Sequence, residues 1–321
     1  MGWRFLVSPF KHFVIATDLS PETLGVEKLA VMLAKAHQAR ITFLHVDDFA
    51  DSFTRYYAYA EIGMAASAAR AKEEEVGRLK QKSLEKRALE LCGQIYPGQS
   101  TKILSGEPVA QILDFVQGTA SSQPCDLLIL AKKKRNLLEE FILGSTATHV
   151  LDGAKVPIMV VPAMDLGNVS FFESVLLATG LSPASEKVAH QTAEFLSCLQ
   201  PKNVTLLHVL ESRAEYFPLP MVDGVAGIPA HDFHLLYDLV DANAQKDLAA
   251  QARSVFTVRD IPCLPQIAYG QTTEQLLLES KKHDLVVVGT TAEKPLSYTF
   301  LGSTARTLLG KCSKPILVFP K

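Results

Sequence analysis

Short, nearly continuous apolar runs along this chain alternate with longer stretches in which apolar and charged residues mix. The run Phe13-Val14-Ile15-Ala16 within residues 12–17 reads as a strand buried on both faces. Residues 40–46, 101–105, 126–131 and 157–161 read as four more strands. Ser20 predicts the cap of a helix, with Pro21 at its first position and Glu22 in its first turn. Residues 66–93 predict a long charged helix with Val76, Leu79, Leu84, Ala88 and Leu91 on one side. Gly106 ends the third strand, Val109 to Gln117 follow as a helix, and Ser145 to Leu151 open another. The same order returns at 174–179, 203–209, 264–269, 284–289 and 315–319. Strands alternating with helices predict an α/β fold, a parallel sheet covered on both faces. Ligands of such sheets bind at the carboxyl ends of the strands, where strand order reverses.

The second half repeats the first. Val14-Ile15-Ala16-Thr17-Asp18-Leu19-Ser20-Pro21 matches Leu176-Leu177-Ala178-Thr179-Gly180-Leu181-Ser182-Pro183. Thr42 to Val46 matches Thr205 to Val209, and Asp126 to Leu130 matches Asp284 to Val288. Phe141 to Ala147 matches Thr299 to Ala305, and Val156 to Pro162 matches Lys314 to Pro320. The offset stays between 158 and 164 residues throughout, so the chain is two tandem copies of one domain. The predicted domains are 1–165 and 170–321, joined by a short polar linker near Ala163 to Ser170.

Composition narrows the functional classes. With 321 residues, 48% of them apolar and 21% charged, each half can bury its own core. A formal charge of −2 gives no reason to expect nucleic acid or an anionic membrane as partner. The basic run Lys132-Lys133-Lys134-Arg135 reads as a solvated loop. Cys92, Cys125, Cys198, Cys263 and Cys312 form no CxxC pair, which suits reduced thiols in a cytoplasm. No apolar run approaches the ~20 residues of a membrane span, and MGWRFLVSPF has no cleavage site of a signal peptide.

Candidate chemistry lies after the fourth strand of each copy. Copy two reads Gly289-Thr290-Thr291-Ala292, nine further residues, then Gly302-Ser303. Gly289 ends a buried strand, where backbone can approach a ribose or phosphate closely. Gly302 precedes a helix whose first N–H groups and dipole favour an anion. Ser303 and Thr304 add hydroxyl donors. The spacing resembles the nucleotide motif of universal stress proteins, G-x2-G-x9-G-[ST], with Ala292 in place of the second glycine. The resemblance covers both copies. It implies a doubly wound five-stranded parallel sheet of order 3-2-1-4-5 in each, and an ATP-type site that many members have and others lack.

In copy one the equivalent positions are Ala131, Lys134 and Gly144-Ser145. Lys134 would stand where the resemblance runs the phosphates, as a point-charge partner, a solvent-facing side chain or an obstruction. Members that bind ATP usually place an Asp at the first strand tip, near adenine. Asp18 has that position in copy one, whereas copy two has Gly180 after Thr179. The resemblance therefore implies partly degenerate sites, with the phosphate end better kept in copy two and the ligand an adenine nucleotide such as ATP or another small anion.

Other features weigh less. His231-x-x-His234 is a weak metal candidate and more simply a surface pair, while His45 and His208 read as hydrogen-bonded core residues. Segments after the second strand, rich in aromatics at Phe49 to Tyr59 and in Pro and Gly at Phe217 to Pro229, suit lids or interaction surfaces. Single-domain relatives often dimerise through their last strands. Here Ile158–Val161 and Ile316–Phe319 are expected to pair antiparallel, a pseudo-two-fold intramolecular dimer that leaves room for a further homodimer. The expected function is a cytoplasmic, nucleotide-responsive stress or regulatory module. The alternatives are an interaction scaffold for a protein partner, with no nucleotide, and a slow ATP hydrolase.

No nucleophile–base pair, P-loop or GxGxxG is present in the sequence. ATP turnover should therefore stay below about one event per minute, against ~10 per second for a typical enzyme. Steady-state phosphate release measures this. A rate near the typical value, lost on mutating a crevice residue, would contradict it.

Overall fold

The computed structural model describes residues 8–48, 66–93, 96–118, 124–135, 140–163, 172–210, 230–290 and 301–320. It divides into two compact units, Met1–Val169 and Ser170–Glu293 with Gly302–Phe319. Each unit is an α/β domain.

In copy one, β1 (His12–Ala16) leads through a 3-10 turn into α1 (Leu24–His37) and β2 (Arg40–Asp48). Then come α2 (Ala66–Cys92), β3 (Gln99–Gly106), α3 (Pro108–Val116), β4 (Leu127–Arg135), β5 (Glu140–Ile142), α4 (Ser145–Gly153) and β6 (Ile158–Pro162). The parallel strands lie in the order β3-β2-β1-β4-β6. Copy two runs β7 (Ser174–Ala178), α5 (Pro183–Leu196), β8 (Asn203–Leu210), α6 (Ala230–Gln251), β9 (Cys263–Tyr269), α7 (Thr272–Ser280), β10 (Leu285–Gly289), α8 (Ser303–Lys311) and β11 (Ile316–Phe319). Its order is β9-β8-β7-β10-β11, again parallel. Both sheets have the expected 3-2-1-4-5 order, so each reverses between its first and fourth strands.

The apolar runs fold as they do because helices cover both faces. Phe13, Val14, Ile15, Leu128 and Ile129 are buried in copy one, as are Val175, Leu176, Leu177, Val286 and Val287 in copy two. The repeat extends to polar details. Asp126 accepts from the backbone N–H groups of Lys11 and His12 at 2.8 and 2.9 Å, and Asp284 accepts from Ser174 N at 3.0 Å. These carboxylates hold the start of the first strand against the fourth. A buried threonine of the second strand is satisfied differently in the two copies. Thr42 bonds His12 from β1 at 2.8 Å, whereas Thr205 bonds His283, just before β10, at 2.9 Å.

Three local expectations need correction. Leu79 is 59% exposed, because the buried stripe of α2 runs through Leu84, Ala88 and Cys92 at helical spacing and Leu79 lies five residues off it. The basic run is not a loop: β4 continues through it, pairing antiparallel with β5, with Lys133 opposite Ile142 and Arg135 opposite Glu140. Lys132 is only 1% exposed, its aliphatic stem suiting it to packing. Ser20 precedes the 3-10 turn Pro21–Thr23 and makes no side-chain capping bond, whereas Ser182 caps α5 in a reciprocal box with Ser185. Among the described residues no helix is long and apolar enough to cross a membrane.

His37 closes α1 against Phe10 and Phe13, with ring centroids 5.8 and 5.3 Å away, and its Nδ1 lies 2.7 Å from Ser8 Oγ. Burial, with the charge of Lys11 acting the same way, lowers its imidazole from 6.5 to about 4. The native state then binds fewer protons than the unfolded chain between these values, so stability falls as pH drops from about 6.5 to about 4. The contribution is on the order of 3 kcal/mol. Thermal unfolding across this interval should show a shallower pH slope for His37→Gln than for the parent. Equal slopes would refute the assignment.

Candidate functional site

Each copy opens a crevice where the first and fourth strands part. In copy one, Thr17 sits at the tip of β1 and organises the surrounding chain. Its hydroxyl donates to Glu27 Oε1 on α1 at 2.5 Å and accepts from Leu19 N at 3.0 Å. Leu19 has φ of +62°, an uncommon conformation for a branched side chain, which this bond helps to hold. The carbonyl of Thr17 accepts from His45 Nδ1 at 2.9 Å, tying in the tip of β2. Glu27 is fully buried and also accepts from Arg87 of α2 at 3.3 Å.

Copy two rebuilds this corner. Thr179 accepts from Leu181 N at 3.2 Å, Leu181 has φ of +53°, and the Thr179 carbonyl accepts from His208 Nδ1 at 2.9 Å. The hydroxyl of Thr179 donates instead to Gln251 at the end of α6, 2.9 Å away, where the helix widens into a π turn over Ala252–Phe256. The position of Glu27 is occupied by Ala189 in copy two. His45 and His208 are thus both hydrogen-bonded at strand ends; the expected core position holds for His45, which is buried, whereas His208 is half-buried.

The far wall of each crevice is a helix N-terminus. Gly144 heads α4 with φ −61° and ψ 159°, and Gly302 heads α8 with φ −63° and ψ 158°. Neither helix has a side-chain cap, and the first turn of each lines its crevice, which leaves first-turn N–H groups without a capping acceptor there. These dihedrals suit any residue, so the backbone conformation does not require glycine. A Cβ at Gly144 would meet no heavy atom within 4 Å. Gly289 is different: a Cβ there would stand 2.7 Å from Val188 Cγ2 of α5, so tight helix-on-sheet packing explains this glycine.

The copy-one crevice is a cavity of about 660 Å³ that brings together Asp18, His45, Ile112, Lys133, Gly144 and Ser145. Asp18 accepts from Ser20 N at 3.0 Å and pairs with Lys133 Nζ at 2.5 Å. Burial acts to raise its carboxyl, but the bonds from Lys133 and Ser20 prevail and hold it below the usual range. The bond to Asp18 raises Lys133 in turn. The copy-two cavity, about 220 Å³, brings together Thr179, Gly180, Gly289, Gly302, Ser303 and Thr304. A Cβ at Gly180 would come no nearer than 4.0 Å to Ser185 Oγ, so the missing carboxylate there leaves open space.

Of the remaining sequence candidates, Ala292 and the segments Phe49 to Tyr59 and Phe217 to Pro229 lie outside the described residues. His231 and His234 fall in α6 and Lys134 in β4, their side chains also outside the described residues. Among the described residues no group of three His, Cys, Asp or Glu side chains is placed to hold a metal ion. Sequence reasoning missed Lys133, Glu27, Arg87 and Gln251. The Thr17/Thr179 repeat was visible without its partners.

The universal stress protein family model matches residues 9–162 and again 172–320. A universal stress protein of Methanocaldococcus jannaschii is 28% identical over 152 residues, 47% of this chain and 82% of its own length. The universal stress protein A homolog of Haemophilus influenzae is 26% identical over 157 residues, 49% of this chain and 99% of its own. The crystal structure of a universal stress protein from Archaeoglobus fulgidus superposes on 97% of this chain and 99% of its own at a TM-score of 0.63. Its identity is 16%, a likeness of fold.

The two glycines should respond oppositely to a methyl group. Gly289→Ala should destabilise copy two by roughly 1–3 kcal/mol through overpacking, with recovery when Val188→Ala is added. Gly144→Ala should cost about 1 kcal/mol or less. Urea unfolding measures both. A neutral Gly289→Ala would remove the packing explanation.

Proposed function

The chain belongs to the universal stress protein family, carrying the family's domain twice, and from that premise we propose that it is a cytoplasmic, nucleotide-responsive regulatory module. The observation that carries the proposal is Gly144. It stands at an uncapped helix N-terminus on the crevice wall, and neither its dihedrals nor its neighbours require a glycine. A missing side chain there clears the approach of a phosphate to the N–H groups of Ser145 and Thr146. Gly302 repeats the geometry with Ser303 and Thr304.

The two crevices suit different parts of a nucleotide. Ligand pockets run to about 300–1,000 Å³, and the copy-one cavity of about 660 Å³ falls within that range. Copy one also has a carboxylate, Asp18, at the end where a base would lie. The copy-two cavity of about 220 Å³ suits the phosphate end, and Gly180 offers no side chain to discriminate among bases. Copy two is therefore the less selective site and, with no Asp–Lys pair across it in the sequence, the more open to phosphate. Cys92, Cys125, Cys198, Cys263 and Cys312 form no disulfide among the described residues, which supports a reducing compartment.

Calorimetric titration with ATP and GTP tests this reading. Gly302→Val should weaken both nucleotides roughly tenfold, and Gly144→Val should weaken them less. Loss of binding on Gly144→Val alone would move the better phosphate site to copy one. If no form binds and freshly purified protein releases no adenine nucleotide, the interaction-scaffold reading replaces this one.

A further inference from the structure

The ion pair across the copy-one crevice has no place in a simple nucleotide site. Lys133 lies on the part of β4 that runs on to pair with β5. It follows the buried Lys132, and the two side chains alternate about the strand, so Lys133 faces the crevice. Its ammonium meets Asp18 Oδ2 at 2.5 Å, while the other carboxylate oxygen is held by Ser20 N at 3.0 Å. Asp18 is thus fixed by the turn after β1, and Lys133 is the member free to leave. It has four rotatable side-chain bonds, and the side chains of Lys133 and Asp18 are 55% and 40% exposed. An exposed pair of this kind is weak and exchangeable. Gly144, Ser145 and the first turn of α4 line the same cavity. At the corresponding positions copy two has Gly180 and Thr291, so the pair belongs to copy one alone.

We propose that Lys133 is the cationic partner of a nucleotide's polyphosphate chain in copy one, and that Asp18 holds it until the polyanion displaces it. The proposal rests on the nucleotide reading above and adds a residue and a mode of selection to it. A polyphosphate brings several negative charges to the ammonium at once, together with the helix N-terminus beside it, and so competes well against one carboxylate. A neutral ligand of the same shape gains nothing from Lys133 and leaves the pair closed. Movement of Lys133 frees Asp18 for the base end, so charge at one end of the ligand makes the other end's contact available. Copy one then favours molecules that carry both a base and a phosphate chain, whereas copy two lacks this coupling.

The test uses the full chain carrying Gly302→Val, which weakens the copy-two phosphate site, and titrates it calorimetrically with inorganic tripolyphosphate, which has no base. Asp18→Asn should tighten binding about two- to fivefold, the range that the stability of an exposed ion pair converts to. Lys133→Met should weaken it by about fivefold or more, and the double variant should match Lys133→Met alone. If Asp18→Asn still tightens binding in the Lys133→Met background, the effect is general charge removal and the proposal fails. It fails also if either single variant leaves a measurable affinity unchanged; the nucleotide reading then survives. Absence of binding by every form, with ATP also failing to bind the parent chain, overturns both.

Discussion

At the end of the first strand of each copy, one threonine makes three hydrogen bonds that give the crevice its shape. The hydroxyl of Thr17 or Thr179 holds the backbone N–H of a leucine with positive φ and donates to a side chain from a covering helix. The carbonyl of the same residue receives the imidazole at the tip of the second strand. A strand leaving a parallel sheet must turn sharply to enter its helix, and its last polar groups are too deep to be satisfied by water. The threonine answers both requirements, and the space between first and fourth strands opens directly in front of it. Residues that line the crevice, including Asp18 and Gly180, are held where they are by this corner.

The copies show two ways of satisfying that hydroxyl. Copy one uses a buried carboxylate, Glu27, which in turn has Arg87 from α2. Copy two has Ala189 at the carboxylate's position and a neutral amide, Gln251, reaching in from α6. Removing one member of a buried ion pair is costly because the other charge is left without compensation, whereas exchanging both together is close to neutral. The copies differ by the whole exchange, which keeps the corner intact in each. It also ties the copy-one crevice to α2 through charge, while copy two relies on a neutral hydrogen bond beside a π turn.

The fold was legible in the sequence because each copy reports it twice over, in the apolar strand runs and in the repeat. Strand order followed from the family resemblance. The corner was not legible: Thr17 and Glu27 are ten residues apart, but Arg87 lies 60 residues from its partner, and no periodicity signals that contact. Lys133 was hidden for another reason. A run of four basic residues looks solvated, and nothing in it shows that β4 runs on through it, with Lys132 buried beside β6 and Lys133 lining the crevice where the strand pairs with β5. Gly289 fitted a ligand motif by spacing, yet its nearest neighbour is Val188, so spacing alone could not separate packing from binding. Gly144 is the reverse case, a glycine that internal packing does not demand.

The central claim is that the helix N-termini behind Gly144 and Gly302 receive the phosphates of a nucleotide. Amide nuclear magnetic resonance of the full chain during titration with ATP tests it most directly, because each N–H group reports its own hydrogen bonding. The account predicts saturable shifts centred on Ser145 to Ala147 and on Ser303 to Ala305, with those of Leu19 and His45 following in copy one. Saturating ATP that leaves both sets of first-turn amides unmoved would contradict it.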